Sequence, residues 1–145
     1  MSGIKLEYKI DDREVMRAMK NIENFNSYEM FDEIGSYLDS SVTQRFKEGV
    51  DPEGVPWIES ERAKQEGGKT LVNKTHLRDS ITHIPSDDSV EHGSDMIYAA
   101  IHQFGGETGR NSATTIEQRA FIGINDDDED EINGIVKDFL NEVLN

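Results

Sequence analysis

The C-terminal end of the sequence carries its clearest structural pattern, a run of apolar residues spaced by three and four positions. A helix built from this run has one apolar side, and other parts of the fold must cover that side. The residues of this stripe are Ile132, Ile135, Val136, Phe139, Leu140, Val143 and Leu144. A second stripe predicts a long helix nearer the N-terminus, with Ser27 as its N-cap and an end near Gly49. Its members are Phe31, Ile34, Leu38, Val42 and Phe46.

The remaining patterns predict short strands and short helices. Residues 4–10 alternate between apolar and polar, as a half-buried strand does. Asp11 or Asp12 then caps a helix, and Glu14 has the capping-box spacing from Asp11. Residues 77–84 and 89–93 predict a hairpin, and residues 120–124 predict one more strand. Between them we expect a short helix capped by Ser94 or Asp95. Its predicted apolar face consists of Ile97, Ala100, Ile101 and Phe104.

Two irregular segments separate these elements. Residues 50–74 hold two prolines and three glycines around Trp57, with one helical turn expected at 59–65. A loop of this length in a small domain is usually functional or ordered by a partner. Residues 107–115 are polar and predicted to be mobile. Together the patterns predict an α+β fold, a single domain over residues 1–145. We expect a small antiparallel sheet packed against helices, long amphipathic helices towards both ends, and an extended central loop.

Charge excludes several kinds of partner. The chain of 145 residues has 30 Asp and Glu against 15 Lys and Arg, a net charge of −15. That charge repels phosphate backbones and anionic lipids, so we expect no direct nucleic-acid or membrane partner. The absence of cysteine excludes disulfides, thiolate nucleophiles and zinc sites built on Cys. Hydrophobic residues make up only 34%, and so lean a core predicts support from partner subunits.

No motif for a metal or cofactor is present. The acidic run 126–131 lacks the ligand spacing and central glycine of a calcium loop. It is interpreted as a solvated start of the last helix, where the helix dipole favours carboxylates. The four histidines show no ligand spacing either. Two of them, His83 and His92, are expected on the same hairpin, where they can approach each other.

A possible catalytic set lies in residues 98–107. Tyr98 and His102 share a helix face, and Glu107 follows closely. A small metal-dependent enzyme that uses these groups is therefore one alternative function, although docking against the Trp57 loop or a neighbouring subunit explains them better. An acidic mimic that inhibits a nucleic-acid-binding protein is another alternative, suggested by the net charge. Arg119 is either an interface anchor or a salt-bridge partner for the excess carboxylates.

Four ordered segments carry a resemblance to a known family. They are Phe46 with residues 51–57 (DPEGVPW), residues 70–72 with 75–81, Gly93 with residues 98–106 (YAAIHQFGG), and residues 116–123 (IEQRAFIG). In these segments the chain resembles the phage virion morphogenesis family, which includes tail completion proteins of P2-like phages and the G protein of Mu-like phages. Departures occur at His76, where the family has glycine, and at Glu117 and Ala120, where it has proline.

The resemblance implies a structural protein of a phage or prophage, without catalysis, cofactor or metal, that completes the tail or the head–tail neck. The implied partners are tail tube or tail terminator proteins, head-connector proteins and further copies in a homo-oligomeric ring. The implied location is the bacterial host cytoplasm during assembly and then the virion. The residues expected to serve docking or local support are Trp57, Tyr98, His102, Phe104, Arg119 and Phe121. For Phe104 and Phe121, core packing is an equally good explanation.

Overall fold

A computed structural model describes residues 3–60, 64–65 and 76–144 of the chain. The helices are α1 (Arg13–Lys20), α2 (Ser27–Glu48), α3 (His76–Asp79), α4 (Ala99–Phe104) and α5 (Asp126–Leu144). The strands are β1 (Ile4–Lys9), β2 (Thr82–Pro85), β3 (Ser89–Ser94), β4 (Gly106–Thr108) and β5 (Thr114–Ile116). This is the predicted α+β fold. In the described part of the chain, no helix has the length and apolar character that a bilayer crossing requires.

The main sheet has three antiparallel strands in the order β1-β3-β2. His92 in β3 lies opposite Leu6 of β1 and His83 of β2, so the central strand brings the two histidines together as predicted. Helix α2 packs against β2 and β3. The strand residues Val90 and His92 are fully buried in consequence.

Helix α2 contributes to two apolar clusters and joins them. Its N-terminal half packs with α5 in the first cluster, built on Met30, Phe31, Ile34, Leu38, Val90 and Ile132. Its C-terminal half enters the second cluster, built on Val42, Phe46, Leu77, Ala99, Phe121 and Ile122. All four segments that carry the family resemblance have residues in this second cluster.

The ends of the helices follow the sequence with two shifts. The Asp12 carboxylate accepts the N–H groups of the first turn of α1, so the capping box from Asp11 does not form. Asn26 caps α2 and Ser27 is its first residue. Gly49 ends α2 with a φ of +71°, a conformation that L side chains rarely adopt.

The middle of the chain departs further from the predictions. Residues 77–81 do not extend the hairpin strand, because α3 and a turn occupy them. Residues 107–115 are not irregular, since β4 and β5 pair there around a short 3-10 turn. Residues 120–124 form no strand. Residues 61–63 and 66–75, and with them much of the predicted central loop and part of the second motif segment, lie outside the described residues.

Candidate functional site

A tight turn places Trp57. The Asp51 carboxylate accepts the N–H groups of Glu53 and Val55, each at 2.9 Å. A backbone bond of 2.9 Å from the Asp51 N–H to the Val55 carbonyl closes the turn. Gly54 takes a φ of +84°, which glycine adopts without strain. The DPEG sequence therefore forms a turn that folds the chain back, so that Trp57 lies against α2.

Trp57 joins the first motif segment to the last one. Its ring lies 5.4 Å from that of Phe46 in an edge-on arrangement. Its Nε1 donates to the carbonyl of Ala120 at 2.8 Å. Phe46 also packs 5.4 Å from Phe121. The indole thus provides apolar contact with the core and a hydrogen bond to the backbone.

Gln103 joins the third segment to the last one. Its Oε1 accepts the N–H groups of Phe121 and Ile122, each at 2.9 Å. Its Nε2 donates to the Ile122 carbonyl at 2.8 Å. Buried backbone N–H and carbonyl groups need hydrogen-bond partners, and here one amide side chain is the partner of three such groups. We call the set Phe46, Trp57, Gln103, Arg119 and Phe121 the motif hub.

Arg119, the last member of the motif hub, bonds to two other parts of the chain. Its backbone N–H donates to the His102 carbonyl at 2.8 Å. Its Nε donates to the Ile58 carbonyl at 2.6 Å. The side chain is buried, and burial lowers the pKa of Arg119. Arg119 therefore connects α4 to the chain beyond Trp57.

A buried ion pair continues this network towards α5. Arg45 and Asp128 are 4% and 1% exposed, and Arg45 Nη2 lies 2.5 Å from Asp128 Oδ2. Arg45 Nη1 also donates to the carbonyls of Phe121 and Gly123, at 2.8 and 2.9 Å. The guanidinium thus bonds both the carboxylate and the same extended segment that Gln103 holds.

Asp128 has a full set of partners. Burial alone raises its pKa, but hydrogen bonds and a positive charge outweigh burial and hold the pKa below its ordinary value. These groups are the Asn125 backbone, Ser41, Tyr37 and Arg45. Asn125 and Asp128 also exchange bonds in a capping box, with Asp128 N–H donating to Asn125 Oδ1 at 2.7 Å. The expectation that the whole run 126–131 is solvated is therefore wrong for Asp128.

Tyr98 and His102 lie beside the motif hub. Their rings meet edge to face, with centroids 5.9 Å apart. Burial, and secondarily the Arg119 charge, lower the pKa of His102, which keeps the ring neutral at pH 7. Within the described residues, its buried Nδ1 has no hydrogen-bond partner. Glu107, the third member of the possible catalytic set, is exposed on β4.

An open groove of about 630 Å³ lies between α2, the turn at 50–54 and the start of α5. Its lining includes six acidic residues, and Tyr98 and His102 are not part of it. The acidic lining residues are Glu48, Asp51, Glu53, Asp126, Asp127 and Asp128. Across the described ranges, no group of three or more His, Asp or Glu side chains is placed to hold a metal ion.

The structure places the six predicted docking residues at different depths. Arg119 and Phe121 are buried, whereas Phe104 is exposed. The other three, Trp57, Tyr98 and His102, are half-buried. In the folded subunit, direct docking is therefore open to Phe104 and in part to these three, while Arg119 and Phe121 give local support.

Sequence reasoning missed three residues that hold the site together. Gln103 lies inside the third motif segment, but its spacing gives no sign of a special role for its side chain. Arg45 follows Val42 by three positions and so occupies an apolar position of the α2 stripe, which is a signal for a paired buried charge. Asp128 follows Asn125 with capping-box spacing, a signal that the acidic run obscures.

Comparison with known proteins agrees with the motif segments. The model of the phage virion morphogenesis family matches residues 10–141. The Mu-like prophage FluMu G protein 2 of Haemophilus influenzae (strain ATCC 51907 / DSM 11121 / KW20 / Rd) is 28% identical over 138 residues, covering 93% of this chain and 96% of that protein. No solved structure matches the chain. With a match over nearly its whole length, the chain belongs to the phage virion morphogenesis family and serves as a structural protein in phage assembly.

Proposed function

We propose that this protein completes the tail or the head–tail neck of a phage by binding other virion proteins, and that it catalyses no reaction. One observation carries the proposal. The side chains of Trp57 and Gln103 bond to the backbone of the last motif segment, and that of Arg119 bonds to the carbonyl of Ile58, directly after the first segment. Their side chains are thus engaged in building a rigid subunit instead of lining a cavity where a substrate is held.

The arrangement around His102 supports contact over chemistry. A general base needs a partner that orients it and access to a substrate proton. The Tyr98 ring packs against that of His102, and Glu107 is an exposed residue of β4. The large groove is lined by a different set of side chains.

The proposed partners are tail tube or tail terminator proteins, head-connector proteins and further copies of this chain in a ring. Large apolar side chains that remain exposed, Ile97 and Phe104 among them, support binding to protein surfaces. Other virion proteins are thus the proposed binding class. We place the protein in the host cytoplasm during assembly and in the finished particle afterwards.

The test is to delete the gene from its phage or prophage and to image the particles by electron microscopy. We expect heads and tails to accumulate unjoined, or tails to lack a finished end. Infectivity should return when the wild-type chain is supplied from a plasmid. Normal yields of joined, infectious particles from the deletion strain would contradict the proposal.

A further inference from the structure

Two of the four residues predicted for the apolar face of α4 are exposed to solvent: Phe104, the last residue of the helix, and Ile97, in the turn just before it. Ile97 is 76% exposed and Phe104 is 64% exposed. The residues that α4 turns to the core are Ala99 and Gln103. The other two residues of the predicted face, Ala100 and Ile101, are half-buried, so this apolar side is covered in its middle and exposed at its two ends.

This face lies in a stretch without charge. Residues 96–106 (MIYAAIHQFGG) contain no Asp, Glu, Lys or Arg, although such residues make up 31% of the chain. Exposed apolar surface of this kind, in an otherwise highly charged chain, is typical of a contact site.

The face is held in a fixed position. Gln103, one residue before Phe104, is bonded to Phe121 and Ile122 through three hydrogen bonds. The Arg119 N–H bonds the His102 carbonyl at 2.8 Å. A contact on a face held in this way costs little ordering entropy when it forms.

We propose that Ile97, Ile101 and Phe104, here called the α4 strip, form the contact through which a second copy of this chain binds. Two copies each carry a net charge of −15 and repel each other. A basic partner protein is attracted by the carboxylates. A second copy is repelled by them, so it binds favourably only at a surface where carboxylates are absent. The strip provides such a place. The inference rests on the proposed assembly into a homo-oligomer and names its surface.

The sign of the salt dependence tests this assignment. In sedimentation velocity over a concentration series, we expect self-association that strengthens from about 0.05 to about 0.5 M NaCl. Salt screens the repulsion between acidic copies and leaves an apolar contact intact. A contact made of ion pairs, such as Arg110 of one copy in the acidic groove of the next, would weaken instead.

Substitutions locate the contact. Ile97→Glu and Phe104→Glu should each raise the dissociation constant about tenfold or more, and the neutral variants Ile97→Ser and Phe104→Ser should also raise it. The matched control is Ile84→Glu, which changes an isoleucine that is 58% exposed on β2 and should leave association unchanged. Circular dichroism checks that each variant is folded.

Three results would overturn the inference: a wild-type chain that stays monomeric at every concentration, association that weakens with salt, or an equal loss in Ile84→Glu. The proposed function is judged separately by plasmid complementation of the deletion strain. If a monomeric wild-type chain restores joined particles, the assembly function stands and the α4 strip assignment falls. If the strip variants lose self-association while the deletion strain makes normal particles, the α4 strip assignment stands and the assembly function falls.

Discussion

Gln103 is a single side chain that holds three backbone groups of the neighbouring segment, at 2.8 to 2.9 Å. A primary amide offers a donor and an acceptor side by side, whereas a carboxylate offers only acceptors and leucine offers neither. The segment at 119–123 forms no strand, so the amide supplies the hydrogen bonds that a sheet would otherwise provide. The residue therefore fixes the position of Phe121 in the second apolar cluster.

Replacing Gln103 by leucine should lower the free energy of unfolding by about 3 kcal/mol, because buried N–H and carbonyl groups lose their partners at about 1–3 kcal/mol each and water replaces some of them. Urea denaturation measures the change. The control Gln118→Leu removes one longer bond, of 3.3 Å, from an exposed residue, and should cost less than about 0.5 kcal/mol. Equal effects of the two changes would contradict the assigned role.

His83 has a carboxylate at each ring nitrogen. Nδ1 lies 2.6 Å from Asp39 and Nε2 lies 2.8 Å from Asp32. Only the imidazolium form can donate both bonds at once. Burial alone lowers the pKa of His83, but the two carboxylates outweigh burial and raise the pKa above its ordinary value of 6.5. Asp39 also bonds His92 Nδ1 at 2.9 Å, so one carboxylate joins α2 to both strands of the hairpin.

The pH dependence of stability follows from this shift. A folded-state pKa above the unfolded value means that the contribution of His83 is complete below about pH 6.5 and is lost as the pH rises through the folded pKa. The melting temperature of the wild type should therefore exceed that of His83→Gln most clearly at pH 6, and the gap should narrow above pH 7. A gap that widens with pH would show that the charged form is not the one the fold stabilises. His76→Gln, at an exposed histidine, is the control.

At the scale of elements, α2 is shaped to receive this histidine. A Cβ added at Gly35 would lie 2.3 Å from Cδ2 of the His83 ring, closer than real contacts allow. Glycine in a helix ordinarily costs about 1 kcal/mol relative to alanine. At this position, the space that glycine leaves has a use, because it allows β2 to approach the helix.

Two glycine-to-alanine changes should therefore have opposite effects on the free energy of unfolding. Gly134→Ala, in α5, meets nothing within 4 Å and should stabilise the protein by about 0.5–1 kcal/mol. Gly35→Ala should destabilise it, because the His83 ring must move away from its carboxylates. Thermal or urea unfolding of both variants tests this, and stabilisation by Gly35→Ala would contradict the close packing of α2 on β2.

Asp128 links α5 to α2 through a buried ion pair, in addition to the apolar packing of the first cluster. Asp128→Asn leaves the buried Arg45 charge without its counter-ion and should cost about 3–5 kcal/mol. The adjacent Asp127→Asn changes an exposed carboxylate of the same run and should cost less than about 1 kcal/mol, mostly through the helix dipole. Similar losses in urea unfolding for the two variants would mean that the acidic run acts only as a solvated cap.

The sequence predicted those elements whose own periodicity determines them. Strand β1 and helices α2 and α5 have regular apolar spacing, and all three form. The burial of the α4 face could not be predicted, since it depends on where a distant segment packs. For the same reason, Gln103 and Arg45 gave no direct sign of their partners at residues 121–123. The spacing of Tyr98 and His102 correctly predicted that their side chains are neighbours. The chemistry of this possible catalytic set depends on burial and ring packing, and both arise from tertiary structure.

At the scale of the whole molecule, a strongly acidic chain contains one charge-free stretch. The 30 carboxylate side chains of the chain leave residues 96–106 free of charge, and this stretch lies against the second apolar cluster through Ala99. The described parts of the four motif segments meet in this cluster, against which that stretch packs. The subunit thus combines a strongly acidic chain with one charge-free stretch that carries exposed apolar side chains, which suits a protein that acts by binding neighbours in a particle.

The most direct test of a function by contact is cross-linking mass spectrometry of purified infectious particles. We expect this chain to be present in a constant ratio to the tail or neck proteins. We also expect cross-links from the chain to itself and to a tail tube, tail terminator or head-connector protein. Complete absence of the chain from infectious particles, or cross-links only to proteins outside the tail and neck, would contradict a function by contact.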